Sequence, residues 1–246
     1  MLSSLRIVLT GATGYLGSHL LIEGLRRGHR VVAIIRSKRS LDKLSLDQKK
    51  ILDEYRERVC YVEHDLIRDR DLKRLTDRIF ECLGGVDALI NSAALWDDTD
   101  PFKISYERWI EILTLNLVAP YQLAVEMSNL MKSGVIINIS CLSSLRGHRV
   151  YEPLKPSPAY VASKTALNVV TRYLADLLAD KNIIVIGVAP SWIEKPEIER
   201  FREYLIKRLP LRRAARPEEV SSFIYRLIEE KNHYLSGSII EIPGAL

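Results

Sequence analysis

The chain has 246 residues and a mass of 28.1 kDa, and 47% of its residues are hydrophobic and 27% charged. This is the composition of a soluble globular protein rather than of a disordered or fibrous chain. The net charge is +5, but Lys and Arg alternate with Asp and Glu in stretches such as DRDLKRLTDRIFE. That alternation is typical of a solvated helix face and does not predict a nucleic-acid site.

The N-terminal sequence and the cysteines bear on compartment and metal chemistry. MLSSLRIVLTGATG has no basic-then-apolar leader, and no run of 18 apolar residues occurs, so we expect a cytoplasmic protein without a membrane span. Cys60, Cys82 and Cys141 are odd in number and lie in no CxxC motif or Cys/His cluster. Neither a disulfide framework nor a metal site is predicted.

Apolar, β-branched runs alternate with helix-length segments of mixed polarity along the chain. Continuous apolar strands imply burial on both faces, as in parallel sheets covered by helices. No linker or low-complexity segment divides them, so we predict a single domain over residues 1–246 with a doubly wound α/β fold and about seven parallel strands. The runs are residues 6–10, 31–35, 59–63, 88–90, 135–139, 183–188 and 238–242.

The end of the first run carries three glycines spaced by three. Glycine permits a tight turn and lets phosphates approach the backbone, while the helix N-terminus that follows offers N–H groups and a positive dipole end. The position directly after the first strand favours a dinucleotide pyrophosphate site over a merely connecting turn. The candidate cofactor-binding residues here are Gly11, Thr13, Gly14, Tyr15, Leu16 and Gly17.

The second run ends in a basic turn without a carboxylate. A site that prefers NAD usually has a carboxylate there for the ribose 2′-hydroxyl, whereas a guanidinium matches a 2′-phosphate. Arg36, with Arg39 or Lys38, therefore favours NADP(H), and NAD(H) remains an alternative. The other interpretation of this segment is an exposed basic turn.

Two Tyr-x-x-x-Lys spacings occur, and their surroundings separate them. Tyr151 and Lys155 enclose one proline and precede another, which is typical of a loop. Tyr160 and Lys164 begin a long stretch without Gly or Pro, and Ser157 before Pro158 supplies a helix N-cap. Tyr160 and Lys164 are therefore predicted to share one helical face, where a phenol and an ammonium can move a proton.

The order and spacing of these motifs resemble the short-chain dehydrogenase/reductase family, in its compact single-domain branch, over nearly the whole chain. Asp65-Leu66 follows the third run, Asn91-Ser-Ala-Ala follows the fourth, and Leu-Asn116-Leu lies in the next helix. The C-terminal segments 210–220 and 234–244 are similar to those of 3-oxoacyl-carrier-protein reductase-like members. The resemblance implies a Rossmann fold and further cofactor contacts from Asp65, Leu66, Asn91, Ala93, Ser140, Tyr160, Lys164, Pro190 and Ile193.

The resemblance also implies roles in catalysis. Tyr160 would donate its proton to a carbonyl oxygen, and Lys164 would lower the pKa of the phenol from about 10 and hold the nicotinamide ribose. Asn116 would hold a water in a proton relay, although a single Asn in a helix is otherwise most often structural.

Two departures from the family pattern stand out. Where relatives have a second serine that binds the substrate oxygen, this chain has Cys141, a weaker hydrogen-bond donor. Either Cys141 takes the role or Ser143 does, and we favour Ser143. The segment after Pro190 lacks the threonine that usually contacts the cofactor and has Lys195 instead.

We therefore expect an NADP-dependent carbonyl reductase or alcohol dehydrogenase. The substitution at Cys141 motivates the alternative of a non-catalytic dinucleotide sensor or scaffold. A nucleotide-sugar epimerase or dehydratase is a further alternative, which the short chain disfavours.

Two further predictions concern partners. The predicted helices over 104–131 and 160–180 carry more apolar surface than one sheet face covers, which predicts a homodimer or homotetramer. Cations in the 142–158 loop favour an anionic substrate unless they are solvated loop charges, and Trp96 and Trp192 are expected nearby. The loop cations are Arg146, His148, Arg149 and Lys155.

Overall fold

The computed structural model of the chain describes residues 4–147 and 155–244. Within them, seven parallel strands form one sheet in the order β3-β2-β1-β4-β5-β6-β7. The strands predicted from the apolar runs are confirmed, and the ends differ by at most two residues. In chain order they are β1 (Arg6–Thr10), β2 (Arg30–Ile35), β3 (Val59–Glu63), β4 (Ala88–Asn91), β5 (Gly134–Ile139), β6 (Ile183–Pro190) and β7 (Ile239–Ile242).

Helices connect these strands and cover both faces of the sheet. Several of them begin at side-chain caps, such as Ser45, Asp71, Ser105 and Ser157, whose oxygens accept from backbone N–H groups of the first turn. The described helices are α1 (Tyr15–Arg26), α2 (Leu46–Glu54), α3 (Leu72–Leu83), α4 (Tyr106–Leu113), α5 (Ala119–Ser128), α6 (Ser143–Arg146), α7 (Pro158–Leu177), α8 (Arg202–Arg208) and α9 (Pro217–Glu230).

The continuous apolar strands divide their side chains between two hydrophobic clusters. In β2, Val31 and Ile35 pack with α1 and α9 on one face, while Val32 and Ile34 pack with α3, α5 and α7 on the other. This division follows from the two-residue period of a strand, which sends successive side chains to opposite faces. The doubly wound architecture predicted from the sequence is confirmed.

The helix predicted over 104–131 is interrupted. Between α4 and α5, residues Thr114–Val118 form a π-helical turn that contains Asn116. Such a turn inserts one extra residue into the helical repeat and is frequent at functional sites. Apolar periodicity does not reveal it, because the side chains on both sides stay on the buried face. The predicted 142–158 loop likewise begins with the short helix α6.

One expectation about the cysteines is wrong. Cys60 of β3 and Cys82 near the end of α3 form a disulfide, with their Cα atoms 6.3 Å apart. The two cysteines are 22 positions apart in sequence, and the chain between them runs through α3, so the pair is adjacent only in the folded chain. No local motif marks such a pair. Cys141 is buried and takes no part in this disulfide.

No helix in residues 4–147 and 155–244 has the length and apolar character needed to cross a membrane.

Candidate active site

A cavity of about 460 Å³ opens at the carboxyl ends of the parallel strands. Its walls come from the segments that follow β1, β2, β3, β4, β5 and β6. The sheet order reverses between β1 and β4, and ligands of open α/β sheets bind outside such a reversal. The Thr10 hydroxyl accepts from the backbone N–H groups of Ser92 and Ala93 at 3.1 and 3.0 Å, which fixes the two loops on either side of the crevice.

The glycine segment turns tightly at the edge of this crevice. Gly11 has a φ of +67°, and a Cβ there would lie 2.7 Å from the Cα of Ala93. A Cβ on Gly17 would lie 1.9 Å from the Gly11 carbonyl oxygen. These positions therefore exclude larger residues. Gly14 is the N-cap of α1, whose first turn has no side-chain cap and no acidic residue.

The predicted cofactor residues fall into two groups. Among the described residues, Arg39, Asn91 and Lys164 lie outside the cavity wall. Arg39 is exposed, and the Asn91 amide instead donates to the Asn138 side chain at 2.9 Å, between strands β4 and β5. The predicted residues that line the cavity are Gly11, Thr13, Gly14, Tyr15, Leu16, Gly17, Arg36, Asp65, Leu66, Ala93, Ser140, Tyr160, Pro190 and Ile193.

Tyr160 and Lys164 lie one turn apart near the start of α7. Ser157 caps this helix by accepting from the Tyr160 N–H at 3.3 Å, as its sequence predicts. Both side chains are buried, and the Lys164 ammonium donates to the Ile139 carbonyl at 2.7 Å. Tyr160 therefore faces the cavity while Lys164 lies beneath its wall, at the end of β5.

Burial determines how both groups titrate. It raises the pKa of Tyr160 well above 10, and the interaction of the phenol with the Cys141 side chain adds to that rise. Burial lowers the pKa of Lys164 from 10.5 to about 8. The predicted lowering of the Tyr160 pKa by Lys164 is therefore not found in this arrangement. The sequence argument considered the lysine charge and left out desolvation, which disfavours both ionised forms.

Cys141 and Ser143 occupy different depths. The Cys141 thiol lines the cavity and is hydrogen-bonded to the Tyr160 hydroxyl. The Ser143 hydroxyl is 1% exposed, does not line the described cavity, and lies 3.1 Å from the Cys141 sulfur. The preference for Ser143 as the group that contacts the substrate does not match this geometry, because α6 turns Ser143 behind the thiol.

Asn116 joins the loop after β4 to α7. Its side-chain oxygen accepts from the Leu95 N–H at 2.8 Å, and its amide donates to the Leu95 carbonyl at 3.0 Å and the Ser163 hydroxyl at 3.1 Å. Ser163 in turn donates to the Tyr160 carbonyl at 2.7 Å. This side chain therefore positions the loop and the helix. Its predicted part in a proton relay stays a prediction.

Several residues of the cavity wall have no motif of their own. Trp96 and Trp192, expected near the site, both line it, and the Trp96 and Tyr160 ring centroids are 4.7 Å apart. Lys195 lies in the wall at the position where the family pattern has threonine. For these three the sequence signal is their distance from recognised motifs, and Ser92, Ala94 and Leu115 belong to the Asn91-Ser-Ala-Ala and Leu-Asn116-Leu motifs themselves. Ser40, Lys43, His64, Ile67, Ser92, Ala94, Leu95, Leu115 and Ile198 also line the cavity.

The structure describes two of the four loop cations, Arg146 and Lys155. Arg146 forms an ion pair with Glu241 of β7, so its charge is compensated within the protein. Lys155 is exposed. His148, Arg149 and Tyr151 lie outside the described residues, so the tyrosine of the Tyr151–Lys155 spacing is not described. The described part of the loop gives no support to an anionic substrate.

The residues of the cavity fit a nicotinamide dinucleotide. The uncapped first turn of α1 offers backbone N–H groups to phosphates, and no acidic side chain of that turn opposes them. Arg36 stands at the end of β2, and Tyr160 at the opposite end of the same cavity. The chain thus brings an uncapped helix N-terminus, a guanidinium and a phenol together in one crevice.

Known proteins are similar to this chain over nearly its full length. The family profile described as enoyl-(acyl carrier protein) reductase matches residues 23–244. An acetoacetyl-CoA reductase from Acinetobacter sp. and a 3-oxoacyl-(acyl-carrier-protein) reductase from Thermotoga maritima are each 29% identical, with 97% of this chain and 96% of each relative aligned. A 3alpha-hydroxysteroid dehydrogenase from Mediterraneibacter gnavus is 28% identical over 100% of this chain and 98% of its own.

Solved structures agree on the fold. The TT0495 protein of Thermus thermophilus superposes with a TM-score of 0.83 at 27% identity and covers 98% of both chains. L-Sorbose reductase from Gluconobacter frateurii, solved with NADPH and L-sorbose, superposes with a TM-score of 0.86 at 23% identity. The match covers 99% of this chain and 97% of the reductase, and it shows that the two share a fold. The chain belongs to the short-chain dehydrogenase/reductase family of oxidoreductases, which interconvert carbonyls and alcohols.

Proposed function

We propose that the protein is an NADP-dependent carbonyl reductase or alcohol dehydrogenase with Tyr160 as its general acid and base. The observation that carries the proposal is the convergence of Tyr160 and Cys141 at the end of the cavity that the glycine segment opens. When bound, the dinucleotide supplies or accepts hydride. A substrate oxygen beside Tyr160 would receive hydrogen bonds from both the phenol and the thiol.

The two buried groups support proton transfer to a carbonyl. Because burial and Cys141 raise the pKa of Tyr160, the phenol is protonated at neutral pH and is ready to donate. Lys164 has a pKa of about 8 and is mostly charged at pH 7. Its ammonium would stabilise the tyrosinate that remains after donation. Asn116, which lies in the π-helical turn, is proposed to hold the water of a proton relay.

The walls near the glycine segment support NADP over NAD. Arg36 is exposed at the cavity rim, where a guanidinium can form paired hydrogen bonds with a 2′-phosphate. Asp65 and Leu66, after β3, lie in the same wall and are proposed to contact the adenine. NAD(H) binding at lower affinity is compatible with the same site.

The proposal is tested by purified protein with a panel of carbonyl compounds. Loss of NADPH absorbance should follow addition of at least one ketone or aldehyde, and Tyr160→Phe should abolish that loss while NADPH still binds. Binding of NADPH without turnover of any carbonyl or alcohol would instead identify a dinucleotide sensor.

The proposal includes one domain over residues 1–246, a cytoplasmic location and assembly into a homodimer or homotetramer. Support for assembly comes from exposed apolar side chains spaced by four on α7, namely Val169, Tyr173 and Leu177. Tyr106, Ile110 and Tyr121 form a second exposed apolar set on α4 and α5. Light scattering should give a mass of at least twice 28.1 kDa, and a monomer at micromolar concentration would contradict this part.

A further inference from the structure

The catalytic end of the cavity is built from a third apolar cluster, separate from the two that cover the sheet faces. Cys141 and Tyr160 belong to it, together with Trp192, Ile198 and partly buried Trp96. Its members come from the ends of β4, β5 and β6, from α7 and from the segment around α8. Apart from the Lys164 ammonium beneath the cavity wall, the described side chains around the proton donor are therefore mostly apolar.

The Trp96 indole forms a flat part of the cavity wall next to the Tyr160 phenol. Its ring meets that of Tyr160 at an angle of 62°. Both neighbours of Trp96 are fixed: Leu95 is bonded to Asn116, and the Asp97 carboxylate accepts from Arg108 Nε at 2.7 Å. The Asp97 carbonyl also accepts from the Ser157 N–H at 2.7 Å. The indole is thus presented on a rigid segment, as a preformed binding wall requires.

Trp192 supplies a second indole on the other side of β5. Trp96 follows β4 and Trp192 follows β6, and these strands flank β5, which ends just before Cys141. The Trp192 carbonyl accepts from the Ala215 N–H at 2.9 Å, and the Ser191 N–H donates to the Ile242 carbonyl at 3.0 Å. Trp192 is 5% exposed. Two anchored indoles therefore stand on either side of the thiol.

Most charged side chains in the described cavity wall lie away from this end. Arg36, Lys43 and Asp65 follow β2 and β3, on the far side of the glycine segment. Lys195 lies where the cavity meets a neighbouring one, in the stretch between Trp192 and Ile198 of the third cluster. Of the described cations nearest Tyr160, Lys164 lies beneath the wall and is bonded to the Ile139 carbonyl, and Lys195 lies where the cavity meets its neighbour. A carboxylate or phosphate held between the two indoles would therefore lose its hydration to a largely apolar surface, which is unfavourable.

We propose that the substrate is an uncharged ketone or secondary alcohol whose reacting carbon carries a flat apolar group, such as an aryl ring, held between Trp96 and Trp192. This inference rests on the proposed reductase function and specifies its substrate class. Cys141 fits the same class, because a thiol adds apolar surface and a weak donor where a serine would add a hydrated hydroxyl.

The test compares ketones that differ in one property at a time. 2-Acetylnaphthalene is flat and neutral, 6-acetyl-2-naphthoate adds a negative charge to the same ring, and butanone lacks the ring. We expect kcat/KM with NADPH to be at least about tenfold higher for 2-acetylnaphthalene than for either of the others, a difference of roughly 1.4 kcal/mol. Calorimetry of the two naphthyl ketones with protein in excess NADP⁺ measures the same preference without turnover.

Variants assign the preference to the indoles. Trp96→Leu and Trp192→Leu should each lower the ratio of kcat/KM for 2-acetylnaphthalene to that for butanone by about threefold to tenfold, and Trp96→Phe should restore part of it. The third tryptophan, Trp109, lies on α4 outside the cavity wall, so Trp109→Leu is the matched control and should leave the ratio unchanged. Thermal unfolding of each variant shows that it is folded.

The outcomes separate this inference from the function on which it rests. Turnover with a preference for the anionic naphthoate, or a ratio unchanged in both indole variants, overturns the inference and leaves the reductase function standing. If no ketone is turned over, the reductase function fails and calorimetry decides the inference: tighter binding of 2-acetylnaphthalene than of the naphthoate upholds it, and equal or weaker binding overturns it.

Discussion

The Tyr160 hydroxyl is hydrogen-bonded to the Cys141 thiol, and both groups line the same end of the cavity. The pair combines a strong donor with a weak one at the place where a substrate oxygen would bind. Cys141 directly follows the Ser140 that pairs with Asn168 at 2.6 Å, so the backbone that carries the thiol is held against α7.

Cys141→Ala should lower kcat/KM by about tenfold, less than the roughly 10²-fold expected for loss of a strong preorganised donor. Cys141→Ser should raise kcat/KM, because a hydroxyl donates more strongly than a thiol. Ser143→Ala should change it less than about threefold, since Ser143 lies behind Cys141 and outside the cavity wall. Steady-state kinetics of the three variants with one ketone check this, and a larger loss in Ser143→Ala than in Cys141→Ala would reverse the assignment.

Tyr160→Phe should reduce single-turnover rates by about 10² to 10⁴, the usual contribution of a positioned acid. Cofactor affinity should stay within about threefold, because the substituted ring keeps its contact with Trp96. Tyr173→Phe on the same helix is the matched control, since Tyr173 is 61% exposed and lies outside the cavity wall. Similar losses in the two variants would show that α7 contributes to activity by structure alone.

Lys164 should make stability depend on pH in a defined window. Its pKa falls from 10.5 to about 8 on folding, so the unfolded chain binds more protons than the folded chain between these pH values. The free energy of unfolding should therefore rise with pH through this window, by roughly 3 kcal/mol relative to Lys164→Met. The penalty for burying the charge applies in full below about pH 8.

Urea unfolding of both proteins without dinucleotide, at several pH values from 7 to about 11, measures this difference. Lys164→Met keeps an apolar stem of similar size and removes the titrating group. A difference between the two proteins that stays flat or falls with rising pH would mean that the ammonium is better solvated than its burial indicates.

Arg36→Ala should raise the Kd of NADPH by about tenfold to 100-fold, which is the range for losing a hydrogen-bonded charge pair. The Kd of NADH should change by less than about threefold, since NADH has no 2′-phosphate. Arg39→Ala offers a control in the same basic turn, because Arg39 lies outside the described cavity wall. Fluorescence titration with both cofactors decides, and an equal loss for NADH and NADPH would remove Arg36 from cofactor discrimination.

The strands and the start of α7 follow from local sequence. A continuous run such as that of β2 can satisfy burial on both faces only inside a sheet, and Ser157 with Pro158 fixes the start of α7. Gly11 and Gly17 mark the phosphate turn because close backbone contacts there admit no Cβ. Each of these features depends on residues that are close together in the chain, so it can be predicted from the sequence.

The features that could not be predicted from the sequence involve residues that are far apart in the chain. The disulfide between Cys60 and Cys82, the depth of Ser143 behind Cys141, and the ion pair of Arg146 with Glu241 all depend on how connecting segments return to the sheet. The pKa directions of Tyr160 and Lys164 depend on burial, which sums contributions from every element packed around them. The sequence therefore predicted the family, whereas packing set the different depths of Cys141 and Ser143 and the apolar surroundings of Tyr160.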